Sequence, residues 1–417
     1  MALAYGDNSL PVISIDAAEL SPRAIGLELG RQSKTLFPDI ERQYDTYLAS
    51  LLRQRRFDDL LQHSLPKLVQ QLSESYQEEW QGVVDSWSIV HNSVLGDGHL
   101  SIDEYQLLNL LPDFGLPPGG TGIGVFGEVS AIGTVVGRNL DWHSNPELRA
   151  LQAITVYHHK DRTIVNPGFA GITSVVNGFN SHGLFLAYFD AEAYSPYQQF
   201  SPHSSHHLST NVFMLRQALE NHQSVHQASA YLSEQVYDAD RSVLLADKRE
   251  IKVLEFPSLD SAEVRDWSSP TQTARPWQRP QQIAVVGCHV LTELKNHCPD
   301  VKNSVRWRRL HELLDFSETE PADVAAMGNI LSDTANRGFE IFNRDTLQSM
   351  LYLPGNNSLY LYAAPVTNDL SAPVYTPYPT LLSDRASALA VDTDVSWLIW
   401  VVLIFLLGVV LWVVRKH

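Results

Sequence analysis

The C-terminal end of the sequence carries a hydrophobic segment that limits how the whole chain can be arranged. Val395 to Val414 reads VSWLIWVVLIFLLGVVLWVV, twenty residues without a charged side chain. This is the length of a helix that crosses a bilayer. Tryptophans lie near both ends of the segment, where indole rings favour the membrane interface. The sequence therefore predicts a transmembrane helix at 395–414, with a linker at 382–394 and a body that folds outside the lipid.

The residues after this segment predict the orientation of the body. Arg415 and Lys416 follow the hydrophobic segment directly, and positive flanks favour the cytoplasmic side. A single-pass protein with an extracytoplasmic body is therefore expected. No signal peptide is visible, although Ala2-Leu3-Ala4 has the A-x-A form of a cleavage site. A tail anchor with the body in the cytosol is the alternative.

Charge and composition exclude several classes of function. The 30 basic and 47 acidic residues give a net charge of −17. Nucleic-acid binding is not expected as the main activity, because phosphate contacts require a basic face. The sequence contains no phosphate-binding loop, dinucleotide fingerprint or GxSxG elbow, and no cofactor is expected.

Histidine and cysteine patterns do not predict a metal site either. His203, His206 and His207 lie in a serine-rich segment that lacks a carboxylate, so a metal is not expected there. The two cysteines, Cys288 and Cys298, do not have zinc-ligand spacing. One disulfide between them is an option, and two buried thiols are the expectation.

Hydrophobic periodicity predicts a mixed α+β body. Residues 20–90 have the apolar spacing of amphipathic helices, and Ser101 with Glu104 forms a capping box that begins another helix. From 122 to 136 the pattern changes to a β-hairpin, and further strands are interrupted by helical regions at 210–236 and 303–316. We therefore expect an α+β layered domain from about residue 118 to 380.

One hairpin ends in a dense polar cluster. The segment PPGGTGIGVFGEVSAIGTVVGRNLDW, 117–142, begins with glycines and closes with GRNLDW. A planar guanidinium such as that of Arg138 can hold an anionic intermediate or a carboxylate. Asp141 can orient a free α-amine that serves as a general base for its own residue. The alternative is an Arg138–Asp141 ion pair that only closes a turn.

The order of several motifs resembles one enzyme family. GRNLDW is the most specific of them, and the others are RAIGLELGRQ, LSIDEYQLLN, VVNGFNSHGLFLAYFDA, LLADKREIKVLEF and SVRWRRLHELL. Together they resemble the acyl-coenzyme A:6-aminopenicillanic acid acyltransferase family, a peptidase-C45-like branch of the N-terminal-nucleophile (Ntn) hydrolases related to bile salt hydrolases and acid ceramidase. The resemblance implies a four-layer αββα sandwich. It also implies hydrolysis or acyl transfer at a linear amide or ester, after autocleavage directly before the nucleophile.

The chain departs from the family pattern at two catalytic positions. Alignment on the family opening puts Gly120 at the nucleophilic cysteine, and the Cys288-His289 pair occupies the position of an Asn-His pair that contributes to the oxyanion hole. A thiol is a poorer donor than an amide. Two explanations stay open: Thr121 is the nucleophile and the chain is cut between Gly120 and Thr121, or catalysis has been lost and a ligand cleft is kept.

The first hypothesis is therefore a membrane-anchored Ntn-type amide hydrolase or acyltransferase. Its predicted pro-segment is 1–119 and its predicted catalytic domain is 120–381. The predicted ligand is an acylated amine or a similar lipid-like molecule, and a non-catalytic acyl-ligand-binding protein is the alternative. The predicted catalytic residues are Thr121, Arg138, Asp141, Cys288 and His289, and the predicted substrate contacts are Gly120, Asn139, Trp142, Asn177 and Asn180.

Overall fold

A computed structural model describes residues 9–116, 118–191, 210–237, 240–258, 260–294, 301–367, 372–379 and 381–382. Residues up to Pro379 belong to one compact unit. The predicted transmembrane helix at 395–414, most of the linker, and His203, His206 and His207 lie outside the described residues. Within the described ranges, no helix has both the length and the apolar composition needed to cross a bilayer.

Eleven α-helices are found in the described part of the chain. Ser101 and Glu104 form the predicted capping box at the start of α6. The helical regions predicted around 20–90, 210–235 and 303–316 are confirmed. The helices are α1 Pro22–Leu36, α2 Ile40–Leu51, α3 Gln54–Asp59, α4 Leu65–Val69, α5 Glu74–Ser86, α6 Ile102–Asn109, α7 Pro146–Ala150, α8 Asn211–Asn221, α9 Val225–Ser233, α10 Val301–Leu313 and α11 Val324–Leu331.

Two β-sheets form the centre of the unit. The larger sheet has the strand order β1-β4-β5-β6-β7-β8-β9-β10, and the smaller has the order β11-β2-β3-β12-β13-β14. The strands are β1 Val12–Asp16, β2 Gly119–Val125, β3 Val135–Asp141, β4 Gln152–His158, β5 Thr163–Phe169, β6 Asn177–Asn180, β7 Phe185–Asp190, β8 Arg241–Ala246, β9 Ile251–Phe256, β10 Glu263–Arg265, β11 Gln282–Val285, β12 Thr346–Leu353, β13 Ser358–Ala363 and β14 Thr376–Tyr378. The predicted β2–β3 hairpin is confirmed.

The sheets pack face to face with helices on their outer faces. The ring of Tyr352 on the smaller sheet stacks on Phe179 and Phe185 of the larger sheet, with centroids 4.2 and 5.8 Å apart. Helices α8 and α9 contact the outer face of the larger sheet, and α10 and α11 contact the smaller one. The body is thus a mixed α+β fold with four layers, in which an apolar core lies on the helix-covered side of each sheet.

The segment before Gly119 is built into this unit. Strand β1, which the sequence patterns did not predict, pairs in parallel with β4. Glu79 of α5 forms a buried 2.7 Å ion pair with Arg216 of α8. The Tyr44 hydroxyl donates to the carbonyl of Ala170. Whether the chain is cut after this segment stays a prediction, but its helices and strand complete the core of the body.

Candidate functional site

The register of the β2–β3 hairpin decides which residues of the polar cluster meet. Gly122 lies directly opposite Arg138, and Thr121 lies opposite Asn139. Directly opposite residues of an antiparallel pair point to the same face, and successive residues alternate. Gly122 and Arg138 therefore face the larger sheet, whereas Thr121 and Asn139 face the layer of α10 and α11.

Arg138 is enclosed between the two sheets. Its Nη1 donates to the carbonyl of Val176 over 2.7 Å, and its Cζ lies 4.6 Å from the ring centroid of Phe189. Its Nε and Nη2 have no hydrogen-bond partner among the described residues. Burial lowers the pKa of Arg138 to about 9, although Asp141 and Tyr188 act in the opposite direction. The site therefore contains a desolvated cation with unused donors.

The position across from Arg138 has no room for a side chain. A Cβ atom built on Gly122 would lie 2.8 Å from Cζ of Phe189, 3.1 Å from Leu244 and 3.3 Å from Val285. Real side chains do not approach so closely, and a buried ring has little freedom to move aside. Phe189 thus fills the space beside Arg138 that a nucleophilic side chain would need.

Asp141 does not belong to the same face as Arg138. One carboxylate oxygen accepts from Arg306 over 2.9 Å and from Asn343 over 2.8 Å, and the other accepts from Thr346 over 2.7 Å. The predicted juxtaposition of Arg138 and Asp141 is wrong, and so is the alternative of an ion pair between them. The reason is the pleat, because residues three apart on a strand point to opposite faces.

Thr121 lies inside the strand ladder rather than at its start. Its side chain is fully buried and its Oγ1 has no partner among the described residues. Gly120, which precedes it, has a φ of +123°, and a Cβ there would lie 1.9 Å from the carbonyl oxygen of Asn139. A cysteine with this backbone conformation would therefore not fit at position 120. The structure thus argues against the alignment that put the family nucleophile there.

Cys288 cannot supply the predicted oxyanion donor. The sulfur of Cys288 is in a disulfide bond, so the expectation of a buried thiol is wrong and no S–H donor exists there. The ring Nε2 of His289 lies 2.9 Å from the carbonyl oxygen of Arg241. That contact attaches His289 to the start of β8.

The three asparagines that were predicted as substrate contacts all bond the backbone through their side-chain nitrogen. The Nδ2 of Asn180 donates to the carbonyls of Leu219 and His222, and its Oδ1 accepts from two backbone amides of the following turn. Asn180 therefore stabilises the turn. The Nδ2 of Asn139 donates to the carbonyls of Leu331 and Ile341 on the helical side. Asn177 is fully buried, and its Nδ2 donates to the Pro167 carbonyl over 2.7 Å.

Trp142 separates a polar cleft from an apolar cavity. Its Nε1 donates to the carbonyl of Leu116 over 2.8 Å. The cleft, of ≈ 460 Å³, is lined by Ser50, Asp141, Trp142, His143, Asn145 and Asp345. The cavity, of ≈ 20 Å³, is lined by aromatic and aliphatic residues that include Tyr44, Leu108, Trp142, Phe169 and Val176. Since one water needs about 10–15 Å³, the cavity has room for one or two waters.

Three residues of this region were missed by sequence reasoning. Gly122 and Phe189 have no chemical signature, and only the strand register brings them to Arg138. Arg306 carried a usable signal, because it lies four residues before the buried Leu310 on the same face of α10. That spacing predicts a buried arginine, which needs a partner such as Asp141.

Comparisons with known proteins find no matching family model and no matching curated protein. Among solved structures, an N-acylethanolamine-hydrolyzing acid amidase ortholog from Caenorhabditis elegans aligns at 17% identity and a TM-score of 0.41, over 59% of this chain and 100% of that chain. A conjugated bile acid hydrolase variant from Clostridium perfringens aligns at 14% and 0.40, over 62% and 92%. Penicillin V acylase from Agrobacterium tumefaciens aligns at 12% and 0.34, over 58% and 83%.

Proposed function

We propose that this protein binds an acylated amine inside the sandwich without hydrolysing it. The observation that carries the proposal is the contact of Phe189 with the position across from Arg138. Gly122 has no side chain, and Phe189 comes within 2.8 Å of the position that a Cβ would take. Nucleophilic catalysis needs a hydroxyl, thiol or amine within reach of the bound carbonyl. The ring carbons of Phe189 fill the space that such a group would need.

The neighbouring residues support the same conclusion. Met350 lies opposite Arg138 on the other side, in β12, and has no nucleophilic atom. Thr121 faces away from Arg138, and in the intact chain its nitrogen is a peptide nitrogen that cannot act as a base. The sulfur of Cys288 is already bonded. The alternative of lost catalysis is therefore favoured over the active enzyme.

The two spaces on either side of Trp142 suit the two ends of an amphiphile. His143, Asn145 and Asp345 line the outer cleft, and their polar side chains suit the polar end of a neutral amide. The inner cavity is lined mainly by apolar side chains, the surroundings that an acyl chain prefers. Because the cavity has room for only one or two waters, an acyl chain can bind there only after Trp142 and the neighbouring side chains move apart.

The proposal includes the family and the location. An Ntn-type αββα sandwich of the acyltransferase family is supported by GRNLDW, the order of the other motifs and the four layers. An extracytoplasmic body is supported by the disulfide of Cys288, since disulfides persist in oxidising compartments. Attachment through a helix at 395–414 would keep the cleft near lipid-like ligands.

The test is to measure binding and hydrolysis in the same sample. N-butyldodecanamide is titrated into the full chain, tryptophan fluorescence reports binding, and mass spectrometry reports released dodecanoic acid. We expect saturable binding and no acid above the buffer control. Trp142→Ala should speed association, whereas the matched variant Trp267→Ala, at an exposed tryptophan, should not. Release of dodecanoic acid with turnover would overturn the proposal.

A second candidate, autocleavage before Thr121, is favoured by one observation. Gly120 has a φ of +123°, and unusual backbone conformations collect at reactive peptide bonds. The unpartnered hydroxyl of Thr121 lies directly after it. Under this candidate the Thr121 hydroxyl attacks the Gly120 carbonyl, the C–N bond breaks to leave an ester and a free Thr121 amine, and water hydrolyses the ester so that Gly120 becomes a C-terminal carboxylate. The chain is then an Ntn amide hydrolase or acyltransferase. An intact Gly120–Thr121 bond favours the binding protein, and a cut bond favours the enzyme.

A further inference from the structure

A charged pocket lies between the N-terminal helices and α8, apart from the site around Trp142. Its volume is ≈ 310 Å³, within the range of about 300–1,000 Å³ that is usual for small-molecule sites. None of the residues that line it in the described part of the chain also lines the cleft or the cavity beside Trp142. The side chains that matter for its chemistry are Ile25 of α1, Tyr76 and Glu79 of α5, Arg216 and Glu220 of α8, and His159 of the β4–β5 connection.

One arginine lies between two carboxylates in the charged pocket. Nη1 and Nη2 of Arg216 donate to Glu79 over 3.0 and 2.7 Å, and its Nε donates to Glu220 over 2.8 Å. The side chains of Arg216 and Glu79 are each 4% exposed. Asp161 and Arg162, which also line the pocket, form an ion pair that is neutral as a whole. Two carboxylates and one guanidinium therefore leave a net charge of −1 in the pocket.

The other polar side chains of the charged pocket do not supply the missing positive charge. Burial lowers the pKa of His159, although the Glu220 charge acts in the opposite direction, so the imidazole is neutral at pH 7. The Tyr76 hydroxyl donates to Glu220 over 2.6 Å, which leaves the charge of Glu220 in place. Burial raises the pKa of Glu79, and a proton on Glu79 is the alternative to a bound cation.

His159 also carries an unused hydrogen-bonding atom. Its Nε2 is buried and has no partner among the described residues. A neutral imidazole with its proton on Nδ1 presents a lone pair at Nε2, so this atom can act as an acceptor. Each carboxylate oxygen of Glu220 accepts one hydrogen bond, from Arg216 or from Tyr76, and can accept another. The charged pocket thus offers a ligand a negative charge together with hydrogen-bond acceptors.

These features distinguish between classes of ligand. A carboxylate would add a second uncompensated negative charge. A quaternary ammonium ion has a suitable charge but no N–H group, and the Tyr76 ring on which it could rest already contacts Arg216, 4.9 Å from the ring centroid. A primary ammonium ion carries both the charge and three N–H donors. Pro22 and Ile25 give the pocket an apolar wall, which suits a carbon chain rather than a bare metal ion.

We propose that the charged pocket is a second ligand site, for a small primary amine in its ammonium form, with the ammonium group donating to the Glu220 carboxylate and to Nε2 of His159. The carbon chain lies against Pro22 and Ile25. The site goes beyond the proposed binding of an acylated amine, which is neutral at its amide and uses the spaces beside Trp142. Because α5 and α8 both line the pocket, the bound amine stabilises the attachment of the N-terminal helices to the rest of the body.

The test is calorimetric titration of the full chain at pH 7 with n-butylammonium chloride, choline chloride and calcium chloride at equal ionic strength. We expect n-butylammonium to bind saturably and at least about tenfold more tightly than choline, because a site built for N–H donors rejects a ligand that lacks them. Calcium should not displace it. The melting temperature of the full chain should rise with the concentration of n-butylammonium.

Three variants test whether the amine binds in the charged pocket. Glu220→Gln removes the charge and His159→Phe removes the acceptor, so each should weaken n-butylammonium binding at least about tenfold. His159→Phe leaves the bonds of Arg216 to Glu79 and Glu220 in place, which keeps the test valid if Glu220→Gln lowers stability. The matched control is Glu78→Gln, which makes the same charge change at an exposed residue of α5 and should keep the wild-type affinity.

Four outcomes would overturn the inference. If n-butylammonium does not bind at pH 7, a proton on Glu79 compensates the charge and no ammonium site exists. If choline binds as tightly, the N–H donors are not recognised. If calcium displaces n-butylammonium, the charged pocket is a metal site. If Glu78→Gln weakens binding as much as Glu220→Gln does, or if neither Glu220→Gln nor His159→Phe weakens it, the amine does not bind in the pocket.

Discussion

Arg138 and Asp141, three residues apart on β3, point to opposite faces of the smaller sheet. Arg138 faces the larger sheet, where Val176 and Phe189 contact it. Asp141 faces α10, where Arg306 donates to it over 2.9 Å. The polar cluster of GRNLDW is therefore two sites, a desolvated guanidinium between the sheets and a satisfied ion pair under the helices.

Asp141→Asn is expected to destabilise the body strongly. Asp141 and Arg306 are 8% and 3% exposed in their side chains, so the variant leaves a buried guanidinium without its counter-charge. Removing one partner of such a pair costs about 3–5 kcal/mol. Urea unfolding measures this change. The control is Asp39→Asn, which breaks an exposed pair with Arg42 and should cost about 0–1 kcal/mol. Equal effects of the two variants would show that Asp141 is not a structural anchor.

Gly120 and Gly119 should respond differently to the same substitution. Gly120→Ala puts a Cβ 1.9 Å from the Asn139 carbonyl oxygen at a φ of +123°. The backbone strain alone is worth about 1–3 kcal/mol. Gly119→Ala is the matched control, because the nearest atom to its Cβ is 3.8 Å away and its effect should stay within about 1 kcal/mol. Thermal unfolding of the two variants compares them, and a Gly120→Ala protein as stable as Gly119→Ala would contradict the strand geometry.

Gly122 and Phe189 are expected to be energetically coupled. Gly122→Ala overpacks the core against Phe189 and should cost about 1–3 kcal/mol. Phe189→Ala removes the obstructing ring, so Gly122→Ala should cost much less in that background. A double-mutant cycle by chemical unfolding should give a coupling of about 0.5–3 kcal/mol. Additive effects would mean that Phe189 does not fill the space across from Arg138.

The hydrophobic tail should decide how the protein fractionates. Because the segment 395–414 has the length of a membrane span, the full chain should sediment with membranes and require detergent for release. A chain that ends at Asp394 should stay in the supernatant of a high-speed spin. Recovery of the full chain in that supernatant without detergent would rule out the anchor. Protease added to intact cells should digest the body, and complete protection would favour the cytosolic tail anchor.

The sequence patterns predicted the elements of the fold better than their contacts. Helical spacing around α5 and α10 and the capping box at Ser101 are local signals, and the structure confirms them. Strand β1 was missed because its five residues pair only with β4, which lies far along the chain. Short edge strands have little local signal of their own.

The site was predictable only in part, because its geometry depends on register. The β2–β3 connection spans residues 126–134, and a loop of that length does not fix which residues pair. A shift of one residue exchanges the two faces of a strand. The importance of Arg138 could be read from GRNLDW, but whether Gly120, Thr121 or Gly122 lies across from it could not. Phe189 reaches the site from the other sheet, which no local pattern indicates.

The most direct test is the covalent state of the bond before Thr121 in the purified full-length protein. Intact mass measurement and N-terminal sequencing decide it, and trimming at either end does not affect the result. If the body binds a ligand without catalysis, a single chain spans the Gly120–Thr121 bond, and Thr121→Ala leaves its mass pattern unchanged apart from the substitution. A second chain that begins Thr-Gly-Ile-Gly, and that disappears in Thr121→Ala, would contradict the non-catalytic function and establish Thr121 as the nucleophile.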